Sequence, residues 1–174
     1  MDDKFFIPSS YSRIVARELG LQERELGRLL NGTGLARDIL FPGDETRLTG
    51  LQQLKVLENA CAMSDTPEFG LRLGRQLQPS THGPLGYLAL SSPDLFSALR
   101  SLRDYLPMRL PFATLDLQLD SQYLTCEMEF KLQAPPRERR LLLECFALVI
   151  QSVVEAVLGR DSVSSLPNTA STTD

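Results

Sequence analysis

The sequence predicts an α+β fold, predominantly helical, with an N-terminal helical bundle followed by an antiparallel β-hairpin packed on a long C-terminal helix. Apolar residues recur at helical spacing from about residue 9 to residue 106. Between residues 113 and 130 the spacing changes to alternation, the mark of half-buried strands. After Pro135-Pro136 a helical pattern is apolar on so wide an arc that it must be covered on two or more sides.

Residues 9–19 place Tyr11, Ile14, Val15 and Leu19 on one side of a first helix. A second pattern, Gln22–Leu30, stops at Asn31-Gly32, a good helix terminator. Together they imitate a helix-turn-helix, with Val15, Leu19, Gly20, Leu26 and Leu29 at its small and apolar positions. An apolar helix pair joined at a glycine meets the same pattern with no DNA involved. Glu23 and Glu25 on the would-be recognition helix oppose phosphate, so no DNA binding is expected from this chain alone. Residues 32–50 read as a loop with apolar contacts at Ile39, Leu40 and Phe41. Thr49 and Gln52 make a capping box for a helix through about Ser64, with Leu51, Leu54, Leu57 and Cys61 inward.

Residues 66–106 hold three short helical patterns. Thr66 is the expected cap of the first, with Pro67 at its first position. Gly83-Pro84 opens the second, and Ser92 caps the third, with Pro93 leading. Gly70, Gly74 and Gly86 lie inside these patterns, where glycine costs about 1 kcal/mol against alanine. Close approach between helices, or to a ligand, is the expected reason. Residues 107–112, with two prolines, break the helix. In the hairpin that follows, one register pairs Leu119 with Leu124, Leu117 with Cys126, Leu115 with Met128 and Ala113 with Phe130, all on one face. A one-residue slip would scatter them. The same register sets Asp116 opposite Glu127, a repulsive pair that belongs in solvent. The last helix, from Pro136 to about Leu158 and ended by Gly159, has a narrow polar stripe of Arg137, Arg140, Glu144, Gln151 and Glu155. Its wide apolar arc predicts a homodimer, through that helix or an open sheet edge.

The 174 residues, 43% apolar and 23% charged, suit one soluble domain at residues 1–160, with a disordered polar tail at 161–174. A net charge of −4 makes a poor nucleic-acid surface. Cys61, Cys126 and Cys145 lie far apart and have no metal spacing, so no metal or other cofactor is expected. The N-terminus lacks a signal-peptide layout, and polar residues break the longest apolar run. A cytoplasmic protein with no membrane span is therefore expected. No nucleophile motif, phosphate loop or dinucleotide fingerprint is present, which argues against an enzyme. A small-molecule effector would need a mainly apolar cavity with a few polar groups. Tyr87 and Tyr105 are amphipathic candidates, and Arg109 is a natural carboxylate anchor. His82, the single histidine, lies in a polar loop before Gly83 and is a further ligand-binding candidate.

The residues Phe69-Gly70-Leu71-Arg72-Leu73-Gly74, Gly83-Pro84-Leu85-Gly86-Tyr87, Ser91-Ser92, Ala98-Leu99 and Tyr105 carry a resemblance, in identity and in spacing. They resemble the larger, mainly helical N-terminal regulatory domain of AraC/XylS-type bacterial transcription regulators. The resemblance implies a domain that senses a small effector and helps dimerisation, while a separate C-terminal module binds DNA. Nothing after residue 160 resembles that module. Further strands usual in that family are missing, so an open sheet edge is expected. A ligand-free protein-interaction or assembly module is the alternative reading.

Overall fold

A computed structural model describes residues 6–64 and 66–164 of the protein. A short strand, β1 (Phe6–Pro8), leads into α1 (Ser10–Glu18). A 3₁₀ turn (Glu23–Glu25), the one-turn α2 (Leu26–Leu29) and a second 3₁₀ turn (Arg37–Leu40) follow. Next come β2 (Arg47–Thr49), α3 (Gly50–Met63), α4 (Phe69–Gln76), a 3₁₀ turn (Pro79–His82), α5 (Pro84–Leu90) and α6 (Leu95–Arg109). After them are β3 (Ala113–Leu119), β4 (Leu124–Phe130) and α7 (Pro136–Ser164). The architecture is α+β and predominantly helical, with two small antiparallel strand pairs and a long C-terminal helix.

Local hydrogen bonds decide where helices start. The Gln52 N–H donates to Thr49 Oγ1 (3.2 Å) and the Thr49 N–H to Gln52 Oε1 (2.9 Å), the capping box the sequence predicts for α3. Two other expected caps are replaced. Thr66 precedes a turn, and α4 starts only at Phe69. Ser92 Oγ instead donates to the Leu88 carbonyl at the end of α5 (3.0 Å). Asp94 caps α6 by accepting from the Ser97 N–H (2.7 Å), because its carboxylate meets both the orphan donors and the positive helix end. α6 also runs past Pro107 to Arg109, since a proline in the last turn gives up a single backbone hydrogen bond.

The Gln22–Leu30 pattern does not form one helix. A capping box between Gln22 and Glu25 and the Asn31-Gly32 stop leave room only for a 3₁₀ turn and a single α turn. These residues therefore lack the second helix that a helix-turn-helix requires. Within α3, Leu51 faces solvent and Gln53 is buried in its place. β1 pairs with β2, setting Ile7 opposite Leu48, both fully buried.

Close approach explains the interior glycines. A Cβ on Gly74 would stand 3.0 Å from Cys145 Cα, and one on Gly70 3.1 Å from Leu141 Cα. α4 therefore lies directly on α7. Gly86 likewise abuts the backbone of Pro79.

The hairpin has the predicted register throughout, from Ala113 opposite Phe130 to Leu119 opposite Leu124. Asp116 and Glu127 face each other in solvent. β3 lies along α6, and the Phe130 ring stands 5.2 Å from that of Phe146 on α7. α7 continues through Gly159 to Ser164, because one glycine weakens a helix by about 1 kcal/mol without ending it. The expected tail at 161–174 thus overlaps this helix at its start, and residues 165–174 lie outside the described residues. By length and composition Pro136–Gly159 could cross a membrane. It packs instead against α4, α6 and α3, with Leu141, Cys145, Val149, Val153 and Val157 buried, as a core helix does.

Candidate functional site

Where α1, α3, α4 and α7 converge, their inward faces leave a cavity of about 70 Å³. Its wall is almost wholly apolar, with Leu57 from α3, Leu73 from α4, and Phe146 and Val149 from α7. Three polar side chains enter it: Tyr11, Gln53 and His82. In its chemistry, apolar with a few converging polar groups, the cavity has the form of a small-molecule site, while its volume is several-fold below the roughly 300–1,000 Å³ usual for such sites.

Each polar group is placed by its local backbone. Tyr11 shares the inward stripe of α1 with Val15. His82 ends the 3₁₀ turn that Pro79 opens. The next residue, Gly83, takes φ +62, open to glycine without the Cβ penalty. This turn carries the imidazole inward, leaving His82 only 6% exposed. Gln53 lies on the buried face of α3, where its carbonyl accepts from Ser12 Oγ (2.9 Å).

The hydrogen bonds fix the chemistry of the pair. His82 Nε2 lies 3.3 Å from the Leu77 carbonyl, which can only accept, so Nε2 carries the proton. Nδ1 therefore accepts from the Tyr11 hydroxyl at 3.0 Å. Burial pushes the His82 pKa below its ordinary 6.5, against the pull of the Leu77 carbonyl, and the charge of Arg109 lowers it further. The ring is thus neutral at neutral pH. Burial raises the Tyr11 phenol, and Arg109 partly offsets this. The Arg109 guanidinium lies 5.5 Å from the Tyr11 ring centroid, a cation–π contact. Its Nε is buried without a hydrogen-bond partner among the described residues.

Of the residues the sequence singles out, His82 and Arg109 are brought together around Tyr11. Arg109 stands beside that ring and is not part of the cavity wall. Tyr87 on α5 is 63% exposed and Tyr105 on α6 is 47% exposed. α5 is anchored through Leu85, Gly86 and Ala89, and α6 through Leu99, Leu102 and Leu106, so both tyrosines fall on outer faces. Sequence reasoning missed Tyr11 and Gln53 as site residues. Both are hydrogen-bonding groups on otherwise apolar helical stripes, which is the signal that could have found them.

A wider concavity of about 290 Å³ lies between α7 and the turn before α4. Its arginines are already engaged, Arg140 with Glu144 (2.7 Å) and Arg137 with the Cys61 carbonyl. Among the described residues no cluster of His, Cys, Asp and Glu could hold a metal ion.

A family model described as the arabinose-binding domain of AraC transcription regulator, N-terminal, matches residues 24–165. No curated protein is a significant match to the chain.

Proposed function

Because the chain belongs to the family of N-terminal arabinose-binding domains of AraC transcription regulators, we propose that it senses a small metabolite in the cavity walled by Tyr11, Gln53 and His82. The observation that carries this reading is the convergence of those polar groups on an otherwise apolar cavity. The domain is regulatory and takes no catalytic part. It works in the cytoplasm as a homodimer, and DNA is bound by a separate module of the regulator and not by this chain alone. The dimer is supported by α7, whose outer side exposes Leu143 and Leu158 beside Ala147.

Thermal melting tests the sensing role. A cognate effector at about 100 times its dissociation constant adds roughly 2.7 kcal/mol of stability. For a domain of this size the melting temperature then rises by about 5–10 °C. A broad screen of metabolites that never moves the melting point overturns the proposal.

The exposed apolar side of α7 also favours a second reading, an assembly module with no ligand. Val149→Phe, which fills the cavity, separates the two. Under the sensor reading the thermal response disappears while self-association persists.

A further inference from the structure

We infer that the effector is a neutral, mainly hydrocarbon molecule carrying one hydrogen-bond acceptor, such as a ketone, ester or lactone, and that Gln53 reads the acceptor. The inference rests on the sensing role proposed above and narrows it to a chemical class.

The cavity wall carries no charged side chain. Arg109 lies beside the Tyr11 ring, outside the wall. A carboxylate in the cavity would lose its hydration without meeting an opposite charge there. A sugar fares no better. It carries a hydroxyl on nearly every carbon, and each would be stripped of water against aliphatic side chains. The donor capacity of the wall is also largely spent. Tyr11 gives its proton to His82, and His82 gives its own to the Leu77 carbonyl. The Gln53 carbonyl is taken by Ser12 Oγ. Among the donors of the wall's described residues, what remains is the Gln53 amide N–H group, on a nine-tenths buried side chain. A donor in a dry apolar setting selects an acceptor, and one donor selects one acceptor.

The test uses the full chain with methyl-labelled Leu and Val, followed by NMR. Methyl propyl ketone, pentanoate and arabinose, matched in carbon count, are each titrated to about 50 mM, because ligands this small bind in the millimolar range. Xenon under pressure serves as a purely apolar probe of the cavity. Ketone and xenon are expected to shift the methyls of Leu57, Leu73 and Val149, while pentanoate and arabinose leave them unmoved. In the double variant Ser12→Ala/Gln53→Leu, which removes both hydrogen-bonding partners together, ketone binding should fall about tenfold. Xenon binding should persist there and certify the fold. Pentanoate or arabinose binding more tightly than the ketone overturns the neutral class and leaves the sensing role standing. Unchanged ketone affinity in the double variant overturns the role of Gln53. If no probe shifts these methyls, the sensing role itself fails, and the inference with it.

Discussion

Tyr11 and His82 hold each other in place through one buried hydrogen bond. The histidine is buried and neutral, and its Nδ1 depends on the tyrosine hydroxyl. Tyr11→Phe leaves that nitrogen buried without a donor, at an expected cost of about 1–3 kcal/mol in urea unfolding. The same pair sets a pH dependence. His82 titrates below 6.5 when folded and near that value when unfolded. As pH falls below 6.5, the unfolded chain takes up the proton first and stability is lost, until the folded pKa is passed. The melting temperature should therefore fall as pH drops through 6.5, and His82→Gln should flatten that fall. Asp94, held low by the Ser97 N–H, contributes its loss only below 3.8, outside this window. At this scale the site was half legible. A lone histidine before a glycine could be noticed, but its turn inward depends on Pro79 packing against Gly86, some distance from any motif.

Apart from the Gln22–Leu30 pattern, which its capping box and glycine stop reduce to two single turns, elements with a strong period are read correctly because packing and periodicity agree in them. The hairpin register follows from alternation alone, since only one pairing keeps all its apolar residues on one face. Two kinds of element escaped. β1 and β2 span too few residues for alternation to register, and their pairing is a long-range event. Helix ends were misplaced where a nearby acceptor outcompeted the expected one, as Asp94 does Ser92. The glycines of α4 predict close approach to a helix or to a ligand, the structure makes the partner α7, and the contact yields a further prediction. Gly74→Val drives a branched side chain into the backbone of Cys145. Overpacking of this kind costs about 1–3 kcal/mol. It should lower the urea midpoint with an unchanged m-value.

For the whole molecule, the proposed dimer puts the outer side of α7 in an interface. Leu143→Lys with Leu158→Lys changes two exposed residues and should leave the fold intact. Sedimentation at tens of micromolar, a range suited to a specific interface, should then show a monomer where the parent chain shows a dimer. An unaltered sedimentation coefficient would move the interface elsewhere, the hairpin edge being the next place to look. The bond from the Cys145 thiol to the Gly70 carbonyl, 75 residues apart, shows how far the core reaches along the chain. During synthesis α4 leaves the ribosome with its glycine face bare, and its partner α7 is the last of these described elements to be made. Release of α7 is then the event that closes the core, and chaperone occupancy should drop there and not at any earlier codon.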